Sequence, residues 1–312
     1  MSADIIVIGS LNMDLVVRAP RLPRPGETLS GSDFRTVPGG KGANQAVAAA
    51  RLGAQVAMVG RVGEDVFGPR LLAGLAEHGV DSRHVRCDGE APTGTATIIV
   101  DEHGENAIVV VPGANGRVAP ADVDAAQSLL VAARTLILQF EIPLPTVEYA
   151  MEVAARHGLT IIVNPAPAQR VPVTFLRRAG IVVLNETEAE AMTGVGVTGT
   201  ASVAAVRRAL QQSGEQATVV TVGERGAFLA TVEETLHIPA PHVEVVDTTA
   251  AGDAFVGGLA VSLLRGDSLP AAVRYAVCTG ALAVTKFGAQ TSLPSAGEVQ
   301  AFMATLGPPL AA

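Results

Sequence analysis

Short, unbroken apolar runs alternate with amphipathic stretches along the chain, and that alternation restricts the fold more than any other feature. The runs are Ile5–Ile8, Val56–Val59, Thr135–Leu138, Thr160–Val163, Ile181–Leu184 and Thr218–Val222, mostly β-branched. Continuous apolarity marks strands buried on both faces, as in a parallel sheet. Between the runs lie helix-like segments: Gly42–Leu52, Val66–His78, Leu144–His157 and Ala201–Gln212. Gly53, Gly79, Gly158 and Gly214 follow them as C-caps. The expected fold is therefore α/β, a central and mostly parallel sheet flanked by helices on both faces.

Two stretches break the rhythm, residues 11–36 and 92–111. Asp14–Arg18 and Thr28–Phe34 are short and alternating. Thr95–Val100 and Ala107–Val111 flank a polar turn containing Gly104 and read as a hairpin. Together they predict a small second sheet, either a lid over the ligand crevice of the main sheet or a hairpin decorating its edge. Ala250–Leu264 and Pro270–Phe287 are rich in small apolar residues and predict buried helices, and Glu298–Leu306 a surface helix. No repeat or interdomain linker divides residues 1–312, so one domain is expected. The tail 307–312 is expected to fray.

Composition excludes several classes. Of 312 residues 48% are hydrophobic and 17% charged, which rules out a disordered chain. Lys and Arg number 22 against 30 Asp and Glu, a formal net charge of −8. Such a balance disfavours nucleic acid and anionic membrane as partners but leaves room for a small anion in a local pocket. Cys87 and Cys278 cannot form a disulfide framework or a four-cysteine zinc site, and are expected as buried thiols in a reducing compartment. The first residues lack a basic region and a long apolar core, and no apolar stretch approaches the ~20 residues of a membrane span, so a soluble cytoplasmic protein is expected.

Four segments carry chemistry. In Val246–Phe255 an extended run, Val243–Val246, leads through small residues into a helix. First-turn amides lack intrahelical acceptors and sit at the positive end of the dipole. Ala250, Ala251 and Gly252 leave room for phosphate oxygens to reach them. Asp253 beside them is either a dipole-stabilising carboxylate or a functional one. In Pro38–Gln45 two glycines precede a helix; a P-loop is excluded because Arg35 and Gly42 stand where it needs Gly and Ser or Thr. Lys41 and Asn44 share a helix face, which makes the segment either a site for hydroxyls or a flexible turn with solvated polar residues. In Gly9–Asp14 a dinucleotide fingerprint is absent, and Asn12 and Asp14 point to one side of an extended segment. In Leu184–Glu190, Asn185 and Glu188 form either a helix capping pair or oxygen ligands of a hydrated Mg²⁺. Gln139-Phe140-Glu141 ends a further strand, where open sheets present their crevice.

These segments, in this order, resemble the ribokinase/PfkB family of carbohydrate kinases over nearly the whole chain. The most specific parts are Pro38–Gln45 and Asp247–Phe255, supported by Gly9–Asp14, Gly104–Asn106, Gly113–Asn115, Asn164–Ala168, Asn185–Glu190 and Gly288–Gln290. The resemblance implies a ribokinase-like central sheet with a β lid, dimerisation through the lids, and transfer of the ATP γ-phosphoryl group to O5 of D-ribose. It implies Asp253 as general base, with the amides of Ala250, Ala251, Gly252 and Asp253 as anion hole. It implies Asn12, Asp14, Gly40, Lys41, Gly42, Asn44 and Glu141 around the sugar. The nucleotide would meet Asn185, the turn Thr221-Val222-Gly223-Glu224-Arg225-Gly226, Gly252 and Val277. Glu188 would organise Mg²⁺ through water. K⁺ would be held by Asp247, Ser292 and the carbonyls of Thr249, Ala283, Lys286 and Gly288.

Val277 departs from the family pattern, being apolar where a histidine can stand near adenine; an apolar side chain still packs on a base. Two other readings compete. A related kinase acting on another sugar or a nucleoside is the nearer one, although eight Phe, two Tyr and no Trp leave little aromatic surface for a base. A non-catalytic sugar-binding protein would lack the acid or the adjoining glycine, and Asp253 and Gly252 are both present.

Overall fold

The computed structural model describes residues 3–172, 174–210 and 216–306. In chain order the strands are β1 (Ile5–Ile8), β2 (Asn12–Arg18), β3 (Asp33–Gly39), β4 (Val56–Gly63), β5 (Asp81–Asp88), β6 (Gly94–Val100), β7 (Asn106–Val111), β8 (Thr135–Gln139), β9 (Thr160–Asn164), β10 (Ile181–Asn185), β11 (Ala217–Thr221), β12 (Ala227–Ala230) and β13 (Thr235–Ile238). The helices are α1 (Lys41–Arg51), α2 (Gly68–Glu77), α3 (Pro120–Ala125), α4 (Gln127–Ala132), α5 (Leu144–Arg156), α6 (Glu186–Thr193), α7 (Thr200–Leu210), α8 (Ala251–Leu264), α9 (Leu269–Ala283) and α10 (Ala296–Thr305).

The main sheet runs β13-β12-β11-β10-β9-β8-β1-β4-β5. The seven strands from β11 to β5 pair in parallel, and β12 and β13 add antiparallel at one edge. Strand periodicity divides the core into two layers. Ile5 and Val7 face one layer, filled by α1, α2, α8 and α9. Ile6 and Ile8 face the other, filled by α3 to α7. Both faces are covered, as the unbroken apolar runs require.

The small sheet runs β3-β2-β6-β7, with β2 and β6 parallel at its centre. It grows directly out of β1 through residues 9–11. The strand expected over Thr28–Phe34 instead occupies Asp33–Gly39, with Asn12 opposite Gly39. Pro38 is tolerated there because β3 is an edge strand, where a missing backbone donor is affordable.

Further differences have local causes. The run Val243–Val246 joins no sheet among the described residues, and the amides of Val246 and of Asp247 just after it donate to Val284 O. The helix expected to reach Phe287 ends at Ala283. Cys87 is exposed rather than buried, because it lies with exposed Arg86 on β5, an edge strand of the main sheet; Cys278 is buried. Gly53, Gly79 and Gly158 follow their helices with positive φ. The expectations for residues 211–215, including Gly214 and the end of the helix begun at Ala201, and for the tail 307–312 lie outside the described residues. No described helix is long and apolar enough to cross a membrane.

Candidate active site

The loop before α8 turns sharply at Ala250, which has φ 59° and ψ 11°. It is the one non-glycine residue in the left-handed region among the described residues. That conformation costs an alanine roughly 1–2 kcal/mol, and such strain gathers at functional sites. Ala251 N donates to Thr248 O at 3.3 Å, and Ala254 N to Ala250 O at 2.8 Å. Between them, the amides of Gly252 and Asp253 have no protein acceptor among the described residues. Gly252 has an ordinary φ, and a Cβ there would meet nothing within 4 Å. Its lack of a side chain therefore leaves space rather than relieving strain. Ala250 to Asp253 line a cleft of about 210 Å³ with Lys41, Asn185 and Glu188 opposite.

Asp253 is 6% exposed, and both its oxygens are occupied by carboxamides. Asn44 Nδ2 donates to Oδ2 at 3.0 Å and Gln45 Nε2 to Oδ1 at 2.9 Å. Burial pushes the Asp253 carboxyl above its ordinary range; Lys41, Asn44 and Gln45 pull it back, and Glu141 opposes them. Burial pulls the Lys41 ammonium down, but Asp253, Glu141, Glu188 and Asp14 outweigh it, so the lysine stays charged. Asp14 is pushed up to about 7, by burial first and then by Glu141 and Asp253, with Lys41 opposing. The site is thus an excess of buried carboxylate around one cation, poised for hydroxyl donors.

Of the residues expected around a sugar, only Lys41 lines the cleft; Asn12, Asp14, Gly40, Gly42, Asn44 and Glu141 line neither cleft, and Asp14 and Glu141 act on Lys41 from behind it. Glycine at 39, 40 and 42 is enforced by contact. A Cβ on Gly39 would lie 2.2 Å from Asp14 Oδ2, and one on Gly42 2.6 Å from Ser10 N. Gly40, at φ 88°, would press 2.7 Å from Asn12 N. Glu141 is more than a free ligand: its Oε2 accepts from Ser10 Oγ at 2.5 Å and from Lys41 N at 3.0 Å, placing a carboxylate at the N-terminus of α1. Asn12 Oδ1 accepts from Asn115 Nδ2 at 2.7 Å, which leaves the Asn12 amino group as its free donor. Asn44 is committed at both ends, its oxygen accepting from Gln290 Nε2 at 3.3 Å. Ser10, Gln45 and Asn115 fall within segments that carry the family resemblance, but the sequence assigns them no role, since nothing local distinguishes them.

A larger cleft of about 470 Å³ adjoins the first through Thr221, Thr248, Ala251 and Gly252. Gly223, Glu224 and Gly226 border it, and its apolar wall is Val243, Val245, Phe255, Val277, Ala281 and Val284. Only Val277 of that wall was anticipated; the others converge from separate elements. Two expected members lie elsewhere. Val222 is 2% exposed and packs in the core, and Arg225 ion-pairs with Glu186 at the surface. Asn185 lines the smaller cleft, not the larger one.

Asn185 and Glu188 form a reciprocal capping box on α6: Asn185 Oδ1 accepts from Glu188 N at 2.7 Å, and Glu188 Oε2 from Asn185 N at 2.8 Å. One Glu188 oxygen remains free of that bond. Burial raises the Glu188 carboxyl, Asn185 and Lys41 lower it, and Asp253 raises it again. The described residues contain no cluster of three His, Cys, Asp or Glu that could hold a metal ion.

Residues 247–249 and 283–292 do meet. Asp247 accepts from Thr249 N and Oγ1 at 2.9 and 2.6 Å through one oxygen, and from Gly288 N at 2.9 Å through the other. These bonds outweigh burial and hold its carboxyl below the ordinary value. Ser292 Oγ donates to Ala289 O at 2.9 Å, leaving its lone pairs available. Asp247 and Ser292 thus lie on two loops that Asp247 joins through Gly288, and both present oxygen, the donor type a hard cation takes.

The described model of the pfkB family of carbohydrate kinases matches residues 2–296. A ribokinase of Haemophilus influenzae is 38% identical over 97% of this chain and 99% of its own length. A deoxyribokinase of Salmonella typhi is 37% identical over 96% of this chain and 98% of its own. Among solved structures, Arabidopsis thaliana ribokinase complexed with ribose and ATP superposes with a TM-score of 0.88 at 30% identity, covering 97% of this chain and 99% of that one.

Proposed function

We propose that this chain, which belongs to the pfkB family of carbohydrate kinases, phosphorylates the O5 hydroxyl of D-ribose with ATP. The observation that carries the reading is Asp253, a buried carboxylate in the smaller cleft beside unpaired amides at a helix N-terminus, next to Ala251 and Gly252, which both clefts share. The whole-length likeness to ribokinases, one of them complexed with ribose and ATP, supports ribose as acceptor and ATP as donor.

Ribose would lie against Asn12, Asp14, Gly40, Lys41, Gly42 and Asn44, with Glu141 fixing the start of α1 beneath it. The nucleoside of ATP would rest on the apolar wall around Val277, between Thr221–Gly226 and α9. Asp253 takes the O5 proton as O5 attacks the γ-phosphorus. The bond between that phosphorus and the bridging oxygen breaks, and its electron pair leaves on ADP. Developing negative charge meets the amides of Gly252 and Asp253 and the positive end of α8, with Ala250 and Ala251 shaping the turn. General-base assistance of this kind contributes typically ~10²–10⁴-fold. Mg²⁺ bound with the phosphates, near Glu188, would neutralise charge on the transferring group. K⁺ would be held by Asp247, Ser292 and the carbonyls of Thr249, Ala283, Lys286 and Gly288, and would order the loop ahead of the anion site.

The same reading takes the chain as one α/β unit in the cytoplasm, with the small sheet as a lid that excludes water. Phe34, Ile108, Val109, Val110 and Val111 are exposed on that sheet, and such an apolar surface supports pairing of two lids in a homodimer. The test is ADP release coupled to oxidation of a reporter, with D-ribose, 2-deoxy-D-ribose and adenosine in turn. D-Ribose is expected to be preferred. Preference for deoxyribose or adenosine would move the substrate and keep the chemistry; no acceptor-dependent release would overturn it.

A further inference from the structure

Behind Asp253 lies a chain of buried carboxamides that no step above uses. We propose that Gln45, held in turn by Asn164 and Gln139, is a positioning residue that orients the Asp253 carboxylate for proton abstraction. The inference rests on the kinase reading of the same site. Gln45 Nε2 donates to Asp253 Oδ1 at 2.9 Å and to Asn164 Oδ1 at 3.1 Å. Gln139 Nε2 donates to Gln45 Oε1 at 2.6 Å, and Asn164 Nδ2 to Val183 O at 2.9 Å. Gln45 and Gln139 are fully buried and Asn164 nearly so.

Chemistry fixes the direction of this chain. Val183 O can only accept, so Asn164 turns its amino group there and its oxygen toward Gln45. The Gln45 atom between that oxygen and a carboxylate must be the nitrogen. Its own oxygen then faces Gln139, which presents a nitrogen. Flipping any one amide would set acceptor against acceptor. The sheet carbonyl thus sets the polarity of every link up to Asp253.

The arrangement carries a local penalty. Gln139 Oε1 is buried with no partner, and a Cβ on Gly9 would lie 2.0 Å from it. An unpaired buried acceptor is unfavourable, so the far end of the chain gives up stability while the near end delivers a donor to the base. Asn44 and Gln45 are consecutive on α1 and bind different oxygens of Asp253, which fixes the plane of the carboxylate. The charged groups facing Asp253 from other elements are Lys41, Glu141, Asp14 and Glu188, and none supplies a hydrogen bond to it among the described residues. Gln45 and Gln139 line neither cleft. Asn12, Asp14 and Asn44 line neither cleft either, so the Asp253→Asn background, rather than cleft lining, separates a loss through the base from one through substrate contact.

The test compares Gln45→Leu and Gln139→Leu with the unaltered chain in kcat and in KM for sugar and ATP, and repeats Gln45→Leu in an Asp253→Asn background. Gln45→Leu is expected to lower kcat at least tenfold with both KM values within threefold. Gln139→Leu, which keeps the donor but frees its far end, is expected to lower kcat at least twofold. In the Asp253→Asn background the Gln45 change is expected to add less than twofold. A folded Gln45→Leu with kcat within twofold of the unaltered chain, or an equal loss in both backgrounds, overturns the proposal. If Gln45→Leu fails to fold, an unchanged kcat in Gln139→Leu overturns it. Absence of sugar-dependent turnover in the unaltered chain would overturn the kinase reading separately. The hydrogen bond is then read without activity, by NMR: the Gln45 carboxamide protons are expected to move on Asp253→Ala, and unmoved resonances would overturn the positioning role.

Discussion

Asn44 donates its side-chain amide to Asp253 at 3.0 Å, joining two segments that lie 209 residues apart in the chain. One segment opens α1, the first helix of the chain, and the other opens α8, whose N-terminus lines the clefts. Because Asp253 sits in α8 and is bonded to α1, a shift of either helix would move the carboxylate. The account of function depends on that rigidity.

Asp14 gives a pH prediction. Its carboxyl is pushed up to about 7 from 3.8, so between those values the folded chain holds a proton that the unfolded chain has lost. That contribution to stability is present at low pH and falls away as pH rises through about 7. Asp14→Asn removes the titration, so the loss of thermal stability between pH 5 and pH 8 should shrink while sugar binding weakens. Melting curves at the two pH values and a sugar titration measure both. An unchanged pH dependence would show that Asp14 is not the group responsible.

Gly252 separates space from conformation. A methyl there meets no protein atom within 4 Å, and alanine is the better helix former by roughly 1 kcal/mol. Gly252→Ala should therefore melt no lower than the unaltered chain. The methyl would stand where phosphate oxygens approach the helix amides, so kcat/KM for ATP should drop at least tenfold. A variant with normal ATP kinetics would remove those amides from the anion site.

Asp247 bridges the loop before α8 and the loop after α9. Turnover is expected to rise several-fold when K⁺ replaces Na⁺, and Asp247→Ala should abolish the difference. Steady-state rates in the two chloride salts decide it. Equal rates in the unaltered chain would leave the oxygen set with a purely structural role.

Much of this was legible in the sequence, for physical reasons. The apolar runs gave the buried parallel strands because β-branched residues with no polar alternation suit only a sheet covered on both faces. Gly39 and Gly40 stood out as a pair ahead of a helix, and the structure supplies the reason, since a side chain at Gly39, Gly40 or Gly42 would press on Asp14, Asn12 or Ser10. What stayed hidden depends on long-range contact. Gln45 and Asn115 look like any buried amides until Asp253 and Asn12 are brought to them. The apolar wall of Val243, Val245, Phe255 and Ala281 has no periodicity, since a loop and two helices each supply part of it. Pro38 concealed the end of β3, because a proline inside a strand reads as a stop unless the strand is known to be an edge.

The most direct test of the account is Asp253→Asn, measured for turnover and for D-ribose affinity in the same preparation. The side chain keeps its size and loses its basicity, so kcat should fall by ~10²–10⁴-fold while the dissociation constant for ribose stays within a few-fold. Turnover within tenfold of the unaltered chain would contradict Asp253 as the base, and with it the reading of the whole site.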